Sequence, residues 1–247
     1  MSGHDVMSAG QIVLDDAEAI ARRAADFLLE QALAAKGVFR VALSGGSTPK
    51  RLYALMAAPE YAAQFPWGRV QFFFGDDRFV PADSPDSNRG MVQSILFSRV
   101  PAPVDAIFPM PDQGDPDAAA WAYEASLKTA YGAEALEPDR PLFDVVFLGL
   151  GENGHTASLF PRQPVLEERT RWVAPCVPDD APHTRLTLTY PAIASSRFVL
   201  FLVTGASKAE VYARVRAGDP AEPASHITSE GRIEWLVDAA AAGEVVS

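Results

Sequence analysis

Short apolar runs alternate along the chain with longer stretches in which apolar residues recur every three or four positions. Gln11-Ile-Val-Leu14 predicts a strand, and Asp15-Asp16 then opens a helix whose Ala17, Ile20, Ala24, Phe27 and Leu28 share one face, with Gly37 as its stop. Phe39-Arg-Val-Ala-Leu43 predicts the next strand, and the loop Ser44-Gly-Gly-Ser-Thr-Pro49 leads into a helix through Met56. Further strands are predicted at 70–74, 143–148, 185–189, 197–203 and 233–237, helices at 87–98, 115–131 and 207–216, and a loop over 75–86. Residues 185–189 alternate with period two, the mark of a half-buried strand, whereas Phe198 to Val203 are apolar throughout. Strands alternating with helices imply parallel β-α-β units, hence an α/β fold with a doubly wound, mostly parallel sheet and helices on both faces. No linker, repeat or low-complexity segment interrupts the pattern, so residues 11–247 read as a single domain behind a loose tail at 1–10.

Composition narrows the function. With 48% apolar residues in 247, a substantial core is expected. The formal charge of −11 argues against a nucleic-acid surface, which needs clustered Lys and Arg; a small anion, held by a few local donors, stays compatible with it. Cys176 stands alone, so no internal disulfide forms, and no Cys/His spacing suggests a zinc site. The N-terminus lacks a basic region followed by an apolar run, and no stretch of about 18 apolar residues occurs. The expectation is a cytoplasmic protein with neither a membrane nor a nucleic-acid partner.

Candidate chemistry sits where predicted strands end. Asn153-Gly154-His155 follows the strand at 143–148, which puts a titratable imidazole on a glycine-bent loop facing the crevice of an open α/β sheet. Gly149-Leu-Gly-Glu-Asn-Gly154 matches the dinucleotide fingerprint, but Pro161 and Pro164 cut short the helix such a site requires, so no nicotinamide cofactor is expected. Ser44-Gly-Gly-Ser-Thr48 joins a strand to a helix start and carries two readings: an anion site built from N–H groups, helix dipole and hydroxyls, or a turn in which Ser47 or Thr48 caps its own helix. Phe72-Phe-Phe-Gly-Asp-Asp-Arg78 ends an aromatic strand with two carboxylates that face different surroundings, one toward the crevice and the other toward Arg78 or a turn. Ser87-Asn88 reads by default as a helix cap. Lys208, in the first turn of a helix, is opposed by the dipole and so has another reason to be there, for which phosphate binding is a candidate. His4, His183 and His226 are weaker candidates, and no Gly-x-Ser-x-Gly elbow exists.

Taken in order, Leu43-Ser-Gly-Gly-Ser-Thr-Pro-Lys50, Phe74-Gly-Asp-Asp-Arg78 with Ser87-Asn88, Gly149-Leu-Gly-Glu-Asn-Gly-His-Thr-Ala-Ser-Leu-Phe-Pro161, Arg185-Leu-Thr-Leu-Thr189 and the ending from Pro223 through Trp235-Leu-Val-Asp238 resemble the 6-phosphogluconolactonases. That family lies within the wider group that includes glucosamine-6-phosphate deaminases, with a deaminase/isomerase-like, Rossmann-like fold. The resemblance implies hydrolysis of 6-phospho-D-glucono-1,5-lactone in the oxidative pentose phosphate pathway, without cofactor or metal, by a monomer or weak homodimer. It implies His155 as general base and Asp76 as an orienting carboxylate in the catalytic set. Ser44, Gly45, Gly46, Ser47 and Thr48 would take the 6-phosphate with Arg78, Arg185 and Lys208, and Asn88, Asn153 and Gly154 complete the substrate-binding set. Two positions depart from the family pattern, which usually reads Asp-Gly-His and Asp-Glu-Arg where this chain has Asn153-Gly-His155 and Asp76-Asp-Arg78. An amide carries no charge and is no base, so an aspartate's proton-transfer role does not carry over, while a bond from Asn153 to a sugar hydroxyl does. An amino-sugar phosphate deaminase is the nearest rival, but that family follows its histidine with Ile-Ala-Phe-Asn-Glu-Pro, and Thr156-Ala-Ser-Leu-Phe-Pro161 brings no carboxylate. A non-catalytic sugar-phosphate sensor is the alternative of another class; the acidic charge speaks against its usual DNA-binding segment.

Overall fold

The computed structural model describes residues 10–179 and 181–244; residues 1–9 of the expected tail, His4 among them, lie outside these, and Gly10, expected in the tail, opens the first strand. In chain order the elements are β1 (Gly10–Leu14), α1 (Ala17–Ala34), β2 (Phe39–Leu43), α2 (Ser47–Met56), α3 (Pro59–Ala62), β3 (Val70–Phe74), β4 (Asp76–Arg78), α4 (Asn88–Val92), β5 (Ile107–Phe108), α5 (Pro116–Tyr131), β6 (Phe143–Leu148), β7 (Val173–Cys176), β8 (Arg185–Leu188), α6 (Tyr190–Ala194), β9 (Ser196–Val203), α7 (Ala209–Arg216) and β10 (Arg232–Asp238).

Seven strands form one sheet in the order β1-β10-β9-β6-β2-β3-β5, and every neighbouring pair is parallel. The chain builds from β2 outward to β3 and β5, then returns to the other side of β2 with β6 and continues to β9 and β10. Strand order therefore reverses between β2 and β6, and an open sheet has its crevice at such a switch point, outside the carboxyl ends. Central strands are buried on both faces: Val145, Val146 and Phe147 are fully buried, which is why β6 reads as an unbroken apolar run from Val145 onward, with Asp144 near its start only partly buried. Helix α1 starts where Asp16 accepts the Ala19 N–H at 2.8 Å and buries Ile20, Ala24, Phe27 and Leu28. It stops at Ala34, before Gly37, because Ala35 is already extended.

Three strands form a second, antiparallel sheet, β4-β8-β7. Part of it lies in the expected loop 75–86, since Asp76–Arg78 pairs with Arg185–Thr187. Strand β8, expected to be half-buried, is buried along its length, because it is the middle strand of this sheet and α5 packs against it. β7 tolerates Pro175 as an edge strand. The helix expected at 87–98 starts as α4 and widens into a π turn over Gln93–Phe97. That expected at 207–216 is a 3-10 turn, Ala206–Lys208, followed by α7. Among the described residues no helix is long and apolar enough to cross a membrane.

Candidate active site

A cleft of about 250 Å³ opens at the switch point. Ser44, Gly45 and Gly46 after β2, Asp76 and Arg78 of β4, Asn88, His155, Arg185 of β8 and Lys208 after β9 all line it, together with Gly149 to Gly151, Thr156 and Ala157. Nine residues singled out in the sequence thus converge on one crevice. Ser47, Thr48, Asn153 and Gly154 lie outside its lining: Ser47 is exposed, and the Thr48 hydroxyl pairs with that of Thr204 at 2.9 Å. Helix α2 has no side-chain cap; Gly46, with φ 107°, is its N-cap residue. The capped-turn reading of Ser47 and Thr48 is therefore not realised, and the start of α2 faces the cleft through glycine. Tyr53 fixes this loop by accepting the Ser44 N–H at 2.9 Å and donating to the Ser44 carbonyl at 2.8 Å.

The histidine turn is closed by Gly151 N–H donating to the His155 carbonyl at 2.8 Å and Gly154 N–H to the Gly151 carbonyl at 3.0 Å. A Cβ on Gly151 would lie 2.0 Å from His155 Nδ1, so the ring packs directly on that glycine. Asn153 Oδ1 lies 2.5 Å from Nδ1 and also accepts the His155 backbone N–H at 3.3 Å. An amide oxygen only accepts, so Nδ1 carries the hydrogen, and in the neutral ring Nε2 then presents its lone pair. Asn153, expected to meet a sugar hydroxyl, meets the histidine through its Oδ1. Phe160 stacks on the imidazole with centroids 4.2 Å apart and planes 20° apart. Ala157 holds a positive φ of 48°, unusual for a side-chain-bearing residue, in the loop that continues from the histidine.

Two of the three cations of the cleft, Arg78 and Arg185, come from the small sheet. Arg78 and Arg185 are direct partners across β4 and β8, an arrangement of like charges that costs stability unless an anion joins them. Arg185 is 8% exposed and stands over the Phe160 ring at 5.3 Å. Its Nε is buried without a hydrogen-bond partner among the described residues; burial first, and Arg78 second, hold its pKa below the usual guanidinium value. Arg78 donates through Nη1 to the Asp86 carbonyl at 2.9 Å and to Asn88 Oδ1 at 3.1 Å. Lys208 ends the turn begun at Gly205, whose N–H is gripped by the Asp238 carboxylate at 2.9 Å, and its Nζ is 3.9 Å from Glu152.

Asp76 and Asp77 face opposite ways, as strand alternation requires. Asp76 turns to the cleft and accepts the Ser158 hydroxyl at 2.6 Å. Asp77 turns to α4 and accepts the N–H groups of Asn88 at 2.7 Å, Arg89 at 2.9 Å and Arg78 at 2.8 Å. Burial pushes its pKa up to about 6 against the pull of those donors. Asn88, so anchored, donates to the Asp76 carbonyl at 3.0 Å and lies so close to Gly45 that a Cβ there would meet its Oδ1 at 2.0 Å. Ser158, Phe160 and Tyr53 escaped the sequence reading; for Ser158 and Phe160 the available signal was nearness to His155 along the chain. Among the described residues no group of three or more His, Cys, Asp or Glu is placed to hold a metal ion.

A wholly parallel sheet with an imidazole and three cations at its switch point defines an α/β protein whose crevice gathers a titratable ring and positive charge. The family profile of glucosamine-6-phosphate isomerases/6-phosphogluconolactonase matches residues 15–235, and the chain belongs to that family. It is 39% identical over 240 residues to a 6-phosphogluconolactonase of Nostoc sp., covering 94% of this chain and 97% of the relative. With a Synechocystis sp. 6-phosphogluconolactonase the identity is 41% over 214 residues, 85% of this chain and 86% of the relative. The solved 6-phosphogluconolactonase of Trypanosoma brucei superposes with a TM-score of 0.83 at 30% identity, covering 96% of this chain and 98% of that one.

Proposed function

We propose that this protein is a 6-phosphogluconolactonase that hydrolyses 6-phospho-D-glucono-1,5-lactone to 6-phospho-D-gluconate in the oxidative pentose phosphate pathway. The observation that carries this reading is a histidine with Nδ1 held by Asn153, in one cleft with the facing Arg78 and Arg185. The dianionic 6-phosphate joins the two guanidinium groups and Lys208, beside the open start of α2. Water attacks the lactone carbonyl carbon while His155 Nε2 takes its proton. The oxyanion is stabilised by backbone N–H groups of the cleft loops. Collapse of the tetrahedral species breaks the bond from the carbonyl carbon to the ring oxygen, and the imidazolium returns its proton to that oxygen, which becomes the 5-hydroxyl. The new carboxyl group ionises, so one proton is released per turnover. Asp76, held by Ser158, accepts a substrate hydroxyl and sets the ring's orientation.

Against an amino-sugar phosphate deaminase stands the segment after His155, where Ser158 and Phe160 serve Asp76 and the imidazole and no carboxylate follows. In this reading residues 11–247 act as one unit, as a monomer or weak homodimer in the cytoplasm. The test is lactone generated in situ from glucose 6-phosphate, its disappearance followed with and without the protein in the presence of a chelator. Acceleration well above spontaneous hydrolysis is expected; a folded protein that binds 6-phosphogluconate without accelerating the reaction would be a sensor.

A further inference from the structure

The turn that presents His155 is backed from outside the cleft. Gly154 has φ 76°, and the three atoms nearest to a Cβ built on it all belong to Glu222, with Oε2 at 1.6 Å. The Glu222 carboxylate therefore rests on the glycine backbone itself. From the same segment, Ala224 N–H donates to the Gly154 carbonyl at 3.0 Å. Glu222 is 7% exposed, and Arg214 of α7 holds it, donating Nε to Oε1 at 2.6 Å while Nη1 reaches Glu210 at 2.8 Å. A separate cavity of about 230 Å³ lies behind the turn, with Asn153, Phe160 and Glu222 in its wall. Carboxylates closer to the site along the chain or in space have other partners: Glu152 reaches Lys208, and Asp77 holds the start of α4.

We propose that Glu222, clamped by Arg214, is a positioning residue for the reaction: it fixes the Asn153-Gly154-His155 turn so that Asn153 Oδ1 stays on His155 Nδ1 and Nε2 stays aimed at the carbonyl. The inference rests on the lactonase reading for its kinetic test but not for its spectroscopic one. Truncating Glu222 joins its volume to the cavity behind the turn, and Gly154 loses the wall it leans on. A base displaced by about 1 Å loses on the order of 100-fold in rate, whereas Arg78, Arg185 and Lys208, carried on other elements, continue to hold the phosphate.

Glu222→Ala is therefore expected to lower kcat about 10- to 100-fold with KM within about two-fold of the parent. Glu222→Gln, which keeps the shape and the acceptor for Arg214, should recover most of kcat. Arg214→Ala, at a half-exposed position on α7 outside the cleft lining, should shift kcat in the same direction as Glu222→Ala and decides the matter if the latter does not fold. Ring ¹⁵N shifts of His155, read without substrate, should report hydrogen on Nδ1 in the parent and a mixture of tautomers in Glu222→Ala. If the parent protein fails to hydrolyse the lactone, the proposed function falls and the tautomer still tests the brace. Parental kcat together with an unchanged tautomer in the alanine variants would overturn the inference.

Discussion

The two sheets are built on different terms and contribute different halves of the site. In the seven-stranded sheet, residues 145–148 of β6 and 199–203 of β9 are apolar runs buried on both faces, and burying each Val, Leu or Phe contributes roughly 1.5–3 kcal/mol; the histidine turn hangs from the end of β6. The three-stranded sheet holds Asp76, Asp77, Arg78 and Arg185 in its ladder, all but Arg78 buried. Its strands pair through backbone while Asp76, Arg78 and Arg185 bring charge to the cleft. The large sheet pays for the small one, whose facing arginines and buried carboxylates cost stability in the absence of an anion. Loss of chemistry is thus expected from changes at the carboxyl end of β6, in the middle of the large sheet, and loss of the arginine share of binding from changes in the small sheet.

The sharpest test of that division is His155→Ala. It should lower kcat by roughly 10²- to 10⁴-fold, the range for loss of a general base, while calorimetric affinity for 6-phosphogluconate stays near that of the parent. Substantial residual turnover would break the assignment of the base.

Asp77→Asn probes the small sheet through pH. Because burial raises the folded-state pKa of Asp77 to about 6 from an ordinary carboxylate value, the folded protein binds its proton more tightly than the unfolded chain does. That contribution is fully present below the unfolded pKa, near 4, and is lost as pH rises through 6, amounting to up to about 3 kcal/mol. The parent should therefore lose thermal stability relative to Asp77→Asn between pH 4 and pH 6, by melting curves of the two proteins side by side. Parallel curves across that window would mean that Asp77 does not titrate there.

Arg185→Ala should reverse the pattern of His155→Ala. Loss of one charge-assisted contact costs about 1.5–3 kcal/mol, which is about 10- to 100-fold in KM, with kcat changed far less. An unaltered KM would remove Arg185 from the phosphate site and with it the reason for two facing arginines.

How much of this was legible in the sequence follows the same division. β2, β3 and β6 have the limits that their apolar runs predict, since burial on both faces writes itself as hydrophobicity. β4 is not legible as a strand, because Asp-Asp-Arg carries no apolar period and its pairing is with a strand over a hundred residues away. His155, Asp76, Arg78 and Arg185 were recognisable as residue types at strand ends. The contact of Asn153 with the His155 ring and the place of Glu222 against Gly154 are not legible: a contact made through the missing Cβ of a glycine leaves no period or motif in the chain.

The smallest expected effect separates the two regions most economically, because the same local device occurs in both. Asp16 caps α1 by accepting the Ala19 N–H at 2.8 Å, and Ser87 caps α4 by accepting the Gly90 N–H at 3.0 Å. Replacing either by Ala should cost about 1 kcal/mol of stability by denaturant titration. Helix α1 contributes no residue to the cleft lining, so Asp16→Ala should leave KM where it was. Helix α4 begins at Asn88, which bonds Arg78 and the Asp76 carbonyl, so loosening its first turn should also let the guanidinium drift and raise KM severalfold. Equal KM values in the two variants would show that Asp77 alone holds the turn, since it grips the Asn88 and Arg89 amides whether or not Ser87 caps Gly90.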